Sequence, residues 1–352
     1  MKVGIIVDEL SFNSGIGRYV NELITGLNKK GIYAERVFVK KIDRPYGDVI
    51  NHVFRLPYTV LKTSSKYDIL HATTPITGLS CIFIKKSPKV VTYHDLTSFL
   101  YNDSGSKLHV KISSSLFLKV GKYCDRIISV SSQTKEEIVE HIEIPDEKIT
   151  VVNLGIDDRF KPINRDERDY YIIGYLGALV KRKSVDFLIN SFHLLKRNHP
   201  EINIKLVIWG EKNFEYHNLI ELAKQLNISV EFMGIASEKN IVEIYNSFDI
   251  FVLPSMWEGF ALPILEAQKC GIPVIVRENA HIPYEVRKYC LISGSEEDLA
   301  EKLYLYLTNP ILREETIRNG FNYSKKFTWN KMVDETITVY NDVLSKYPIK
   351  KR

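Results

Sequence analysis

A chain of 352 residues, 45% hydrophobic and 26% charged, is long enough for two domains with apolar cores of their own and too apolar for a disordered one. Its net charge of +5 sits entirely in the N-terminal half: residues 1–163 hold 23 Lys and Arg against 18 Asp and Glu, and the remaining 189 hold 25 of each. So small an excess excludes the basic face of a nucleic-acid binder, but fits an anionic partner such as a membrane surface.

Cys81, Cys124, Cys270 and Cys290 show no Cys-x-x-Cys spacing and no histidine at metal spacing. A reduced, cytoplasmic setting without a disulfide frame or zinc is expected. The opening apolar run Val3–Val7 is too short for a signal peptide and reads as a first strand closed by Asp8. No stretch approaches the roughly 20 apolar residues that span a bilayer.

Strands rich in Ile and Val alternate with helical patterns along the whole length, which predicts a parallel α/β architecture. After Asp8 comes Ser14-Gly15-Ile16-Gly17-Arg18-Tyr19, then an amphipathic helix from about Tyr19 to Lys29. Such glycines let a turn approach a ligand, and Arg18 could reach a phosphate; a simple turn has the same look. Tyr67–Ala72 and Lys89–Asp95 each end a strand at a histidine, His71 and His94. His94-Asp95 is the stronger candidate for chemistry, because it follows a β-branched run and opens a polar loop.

Between Asp103 and Asp125 there is no acidic residue. Lys107, Lys111, Lys119 and Lys122 fall on one side of a helix there, with Val110, Ile112, Leu116, Phe117 and Val120 largely on the other. That pattern suits an anionic membrane surface, and equally an ordinary surface helix with its apolar side in the core. Asp125–Ser132 reads as a strand ending at Ser131-Ser132, with a helix from Thr134, and Lys148–Asp157 as a strand and glycine turn. The polar, proline-containing segment Arg159–Asp169 is the boundary between a domain over 1–163 and one over 164–328, and Trp329 starts a C-terminal helix.

The second domain opens with the strand Tyr171–Gly177, the basic run Lys181-Arg182-Lys183 and a helix from Val185 to Lys196. Leu206–Glu211 and Val230–Ile235 are strands that end at Gly210 and Gly234. The central stretch follows. Asp249–Leu253 is a buried strand, Ile264–Cys270 a helix with Pro263 in its first turn and Gly271 as its cap, and Ile272–Val276 the next strand. An open parallel sheet binds its ligands in such a strand-to-helix loop, where N–H groups near Ala261 and Leu262 would meet an anion. Glu258 and Glu266 flank that point. Carboxylates there would repel an anion, but could accept hydrogen bonds from sugar hydroxyls; a loop glutamate and a helix glutamate are also common surface residues.

With Gly259-Phe260, Leu262-Pro263 and Gly271-x-Pro273 around them, Glu258 and Glu266 resemble the Glu-x7-Glu signature of the family 4 retaining glycosyltransferases. The resemblance runs over nearly the full chain. It implies two doubly wound Rossmann-like domains facing across a cleft (the GT-B fold), with the acceptor mainly on the first, the donor mainly on the second, and the C-terminal helix, about 329–352, packing back on the first. By the same resemblance Gly15, Gly17 and Arg18 line the donor diphosphate, His94 lies by the reacting sugar with Asp95 orienting it, and His71 is a wall of the acceptor cleft or a structural residue. Residues 233–235, Gly234 among them, border the base, and the Ile282–Val286 segment lines the cleft. Glu258 takes the donor sugar's hydroxyls, with Gly259, Phe260, Ala261 and Leu262 beside it, and Glu266 takes the ribose.

The family's Gly-Arg-Leu element and its following lysine are matched by Gly177 and Lys183, but Ala178 stands at the arginine position. Lys181 or Arg182 from the same loop, or Arg18, would have to supply the missing charge. No Asp-x-Asp occurs, so transfer is expected to need no metal and no cofactor, the nucleotide sugar being a substrate. The implied activity is retaining transfer of a hexosyl group from a nucleoside-diphosphate sugar to a glycan, glycolipid or other hydroxyl acceptor. The cysteines and the N-terminal basic excess add an expected setting, the cytoplasm with peripheral contact to an anionic membrane surface. Two readings compete: a sugar-nucleotide epimerase of the same fold, and an inactive sugar- or nucleotide-binding partner subunit, motivated by Ala178.

Overall fold

The computed structural model describes residues 1–8, 15–43, 46–101, 117–212 and 214–347. The chain divides into two units: Met1–Gly155 together with the segment from Thr328 onward, and Ile156–Phe327.

The first unit is built on six parallel strands, β1 (Lys2–Ile6), β2 (Tyr33–Val37), β3 (Ile69–Ala72), β4 (Lys89–Tyr93), β5 (Arg126–Ser129) and β6 (Ile149–Val151), in the order β2-β1-β3-β4-β5-β6. Val3 of β1 pairs with Ala34 on one side and Ile69 on the other. β3 and β4 are buried at every position, as strands covered by helices on both faces must be. The strand order reverses between β1 and β3, which opens a crevice at their carboxyl ends.

The first helix spans Gly15–Lys29, so Gly15 and Gly17 belong to its first turn rather than to a loop before Tyr19. Packing explains the earlier start: Gly17 is already buried, ahead of the inner face made by Tyr19, Val20, Leu23 and Leu27. Most of the basic amphipathic stretch read in the sequence, residues 102–116, lies outside the described residues. Its described continuation is a short 3-10 turn, Lys119–Tyr123, with Val120 and Gly121 buried. The C-terminal helix Trp329–Ser345 buries Met332, Val333, Val339, Tyr340 and Val343. It packs on the Gly15–Lys29 helix and β5, where Asp342 accepts from Arg126 Nε at 2.7 Å.

The second unit holds β7 (Tyr171–Leu176), β8 (Ile204–Trp209), β9 (Glu231–Gly234), β10 (Ile250–Leu253), β11 (Val274–Arg277) and β12 (Leu291–Ser293), all parallel, in the order β12-β11-β10-β7-β8-β9. Here the order reverses between β7 and β10, the arrangement of a dinucleotide-binding sheet. Phe248, Phe251 and Tyr245 pack edge and face beneath the sheet.

The break between the units falls at Gly155/Ile156, ahead of the 163/164 boundary expected from composition. Specific contacts hold residues 156–163 to the second unit. Phe160 meets Tyr245 edge-on at 5.8 Å, Asn246 bonds Lys161 O at 3.0 Å and Ile163 N at 2.9 Å, and Asp158 pairs with Lys269 at 2.8 Å. A polar, proline-containing segment reads as a linker, but its carbonyls and one aromatic ring tie it down.

Candidate functional site

β7 and β10 are neighbours at the crossover of the second sheet, and the loops that leave their carboxyl ends carry the charged groups. After β7 the chain passes Gly177 and Ala178 and enters a single 3-10 turn, Lys181–Lys183. Ser184 then takes a left-handed conformation, φ 46°, that turns the chain into the helix Val185–Asn198. After β10, Ala261 plays the same part at φ 67° before the helix Leu262–Lys269. A left-handed non-glycine residue costs on the order of 1–2 kcal/mol, so both loops hold their shape against local preference.

Between these turns Lys183 Nζ donates to Glu258 Oε1. Lys183 is 9% and Glu258 7% exposed, and an ion pair that buried persists because each charge is the other's compensation. Arg182 Nη1 donates to Trp257 O at 2.8 Å and lies 3.7 Å from Glu258 Oε2, and Met256 N donates to Arg182 O at 2.8 Å. The two loops are therefore one assembly. Of the two same-loop replacements for the arginine missing at Ala178, Arg182 is the one that reaches Glu258; Lys181 is exposed. The Ala178 carbonyl accepts from Tyr175 OH at 2.9 Å.

His281, which the sequence reading passed over, braces this assembly. Its carbonyl accepts from Glu258 N at 2.9 Å, its own N–H donates to Met256 O at 2.7 Å, and its ring lies 3.9 Å from that of Trp257. The signal for it was topological: β11 pairs with β10, so the loop after β11 has to lie beside the loop after β10.

Glu266, 3% exposed, accepts from Tyr245 OH at 2.8 Å. Tyr245→Phe removes that donor from a buried carboxylate, and a loss of about 1–3 kcal/mol in urea unfolding is the expected result. Gly234 ends β9 at φ 80°, and its carbonyl accepts from Gly210 N at 2.8 Å. Gly177 N in turn donates to Trp209 O at 3.0 Å, and a Cβ on Gly210 would stand 2.6 Å from Gly177 O. Three adjacent strand ends are thus stitched together, with no room for a side chain at Gly210. Gly259, Phe260, Ala261 and Leu262 complete the rim of the β10 loop, with Phe260 and Ala261 buried.

In the first unit Gly15, Gly17 and Arg18 share one helical turn, and the Arg18 guanidinium lies 6.0 Å from the Trp329 ring. His71 is fully buried, with Nδ1 on Tyr340 OH at 2.6 Å and Nε2 on Thr92 Oγ1 at 2.7 Å, and Thr92 Oγ1 also meets Tyr19 OH at 3.0 Å. Both ring nitrogens are occupied, so His71 is a structural residue that ties the C-terminal helix to β3 and β4. His94 differs. Its Nε2 bonds Thr73 O at 3.1 Å, and since a carbonyl only accepts, that nitrogen carries the proton and Nδ1 keeps its lone pair in the neutral ring. Asp95 caps the following turn by accepting from Thr97 N at 2.9 Å, and Ser131 caps the helix Ser132–Ile142.

Burial holds His94 down to about 4 and His71 to about 3, against an ordinary 6.5. The unfolded chain binds protons that these rings refuse, so their stabilising contribution is complete above about pH 6.5 and is lost as pH falls toward 3. Glu137, legible in the sequence only as part of the helix that starts at Thr134, behaves oppositely: burial, with Asp95 nearby adding to it, pushes its carboxyl from 4.5 up to about 7. Its contribution is present below 4.5 and lost as pH rises through 7. Glu137→Gln is therefore expected to be more stable than the native chain by roughly 2–3 kcal/mol near pH 8 and to match it near pH 4, as read from urea midpoints.

Among the described residues no three His, Cys, Asp or Glu side chains gather to hold a metal, and no helix is long and apolar enough to cross a membrane. Residues 13–160 match the family model described as Glycosyltransferase Family 4, and residues 156–323 match that described as Glycosyl transferases group 1. The chain is 26% identical over 302 residues to an uncharacterized glycosyltransferase of Methanocaldococcus jannaschii, covering 78% of this chain and 75% of that one. It is 24% identical over 309 residues to the UDP-Gal:alpha-D-GlcNAc-diphosphoundecaprenol alpha-1,3-galactosyltransferase of Escherichia coli, covering 82% and 78%. Its fold is similar to that of sucrose-phosphate synthase from Thermosynechococcus elongatus, with a TM-score of 0.84 at 17% identity over 98% of this chain and 99% of that one. The two family models account between them for residues 13–323, and with its two parallel six-stranded sheets the chain belongs to the family 4 glycosyltransferases of the GT-B fold.

Proposed function

We propose that this glycosyltransferase moves a hexosyl group, with retention and without a metal, from a nucleoside-diphosphate sugar to a hydroxyl of a glycan or glycolipid. The observation that carries the reading is the Lys183–Glu258–Arg182 cluster at the crossover of the second sheet. Departure of the nucleoside diphosphate builds negative charge, and Lys183 and Arg182 are fixed cations held where such charge would be met. Glu258 accepts from the donor sugar's hydroxyls, Glu266 from the ribose, and Gly234 borders the base. In the first unit, Gly15, Gly17 and Arg18 serve the diphosphate, and His94, neutral with Nδ1 able to accept, serves the reacting sugar. The acceptor's proton passes to the leaving phosphate as it attacks from the same face. An acceptor linked to a lipid diphosphate is in keeping with the name of the E. coli relative. The cationic cluster, with no Asp-x-Asp in the chain, supports charge stabilisation by side chains. Arg182 beside Glu258 speaks against reading Ala178 as the mark of an inactive subunit.

The first test is thermal stabilisation by a panel of nucleoside diphosphates and nucleotide sugars with chelator present. A native-state ligand raises the midpoint by mass action, about 2.7 kcal/mol at one hundred times its Kd. One nucleotide family is expected to shift the midpoint, and Lys183→Ala to lose that shift. No shift across the panel at saturating ligand would sink the reading. The anomeric configuration of the product, read by NMR, tests retention, and interconversion of the donor without acceptor would mark an epimerase.

A further inference from the structure

The first unit carries a helical ridge whose outer face is apolar. It runs from Tyr46 through the helix Gly47–Ile50, the π-helical turn Asn51–Arg55 and the helix Leu56–Thr63. Along it the polar Asn51 and His52 are buried, while Tyr46 is 81%, Phe54 65%, Tyr58 67% and Leu61 51% exposed. Those four residues, with Ile50 between the first two, follow one another at helical spacing and so share a face. Phe83, 58% exposed, caps the neighbouring helix Pro75–Ile82, which packs against Leu56–Thr63. Scattered exposed hydrophobics need no explanation, but a contiguous ridge of large ones does.

Polar anchoring sets the orientation. His52 Nε2 meets Asp8 Oδ2 at 3.1 Å, Asn51 Nδ2 donates to Lys40 O at 3.3 Å, and Arg55 Nη1 donates to Asn51 Oδ1 at 2.7 Å. The π-helical turn carries the extra residue that lets Asn51 and His52 face inward while Val53 and Phe54 face out. Charge then says what the ridge meets. From Tyr46 to His94 the chain has two acidic residues, Asp48, exposed in the first helix of the ridge, and Asp68, whose carboxylate accepts from Lys2 N at 2.8 Å. Over the same span Lys62, Lys66, Lys85 and Lys86 are exposed.

We infer that this ridge, from Tyr46 to Leu61 with Phe83 beside it, docks on the surface of an anionic lipid bilayer. Phenylalanine and tyrosine side chains flanked by lysines match the depth profile of a headgroup region, apolar rings below and ammonium groups at the phosphates. The assignment uses neither the donor nor the acceptor.

The test is co-sedimentation of the full chain, without substrates, with vesicles of phosphatidylcholine alone or with phosphatidylglycerol added. The native chain is expected to sediment with the anionic vesicles only and to be released by salt. Phe54→Ser/Tyr58→Ser should weaken that binding by at least about tenfold, and Lys62→Glu/Lys85→Glu/Lys86→Glu likewise. All five side chains are exposed, so circular dichroism and the melting temperature should match the native chain in both variants. Native protein that stays in the supernatant with both vesicle types overturns the inference, as do variants that bind like the native chain. A lipid-free dimer that Phe54→Ser/Tyr58→Ser dissociates also overturns it, and gives the ridge to a second copy of the chain. Transfer is not measured, so failure here leaves the transferase reading untouched.

Discussion

Lys183→Ala is expected to lower kcat/KM by about 100- to 1,000-fold in a chain that still folds. The loss follows from position: the ammonium is held on Glu258 Oε1 at the crossover of the second sheet, where a departing diphosphate would need a fixed cation. Folding survives because Arg182 remains 3.7 Å from the Glu258 carboxylate and shares its charge. Breaking a buried pair still costs about 3–5 kcal/mol, so the melting temperature should fall. Lys183→Met/Glu258→Gln separates the two effects, since removing both charges restores much of the stability and none of the turnover. Steady-state kinetics beside thermal melts make the comparison. Full activity in folded Lys183→Ala would remove the cluster from the mechanism.

Gly174→Ala is expected to cost about 3 kcal/mol of stability and to lower the melting temperature by about 6–12 °C. An added Cβ would stand 2.2 Å from the ring of Phe248, itself fully buried and stacked on Phe251. Neither ring has room to yield, so β7 would have to move, and β7 feeds the loop that carries Lys183. Donor binding should weaken along with stability. A variant that melts like the native chain would show that the aromatic layer is softer than its packing implies.

Much of the architecture was legible because it rests on local patterns. Ile250–Leu253, Leu262–Lys269 and Val274–Arg277 form as the strand, helix and strand that their apolar runs, Pro263 and Gly271 announce. The helix beginning at Trp329 and ending at Ser345 lies where the family resemblance put it. Contacts between residues distant in sequence were not legible. Nothing local to Tyr340 points to His71, and nothing near Tyr245 points to Glu266, yet each pair shares a buried hydrogen bond. The start of the first helix was missed because two glycines read as a turn, while the burial of Gly17 that favours the helix is a tertiary fact. The segment 156–163 was assigned to the first domain by its polarity, whereas Phe160 and the bonds to Asn246 place it in the second unit.

If Lys183 and Glu258 serve the donor as proposed, their mutual pairing would make the site a coincidence detector. An anion alone could take the lysine only by leaving a carboxylate bare in a buried setting, and a lone sugar could take the glutamate only by stranding an ammonium. Either half-match incurs the penalty of an orphaned charge. A molecule that presents phosphate and hydroxyls together satisfies both ends of the pair at once. On that reading, selection of an intact nucleotide sugar over its separate halves would be written into one ion pair, before any contact that distinguishes one base or one sugar from another.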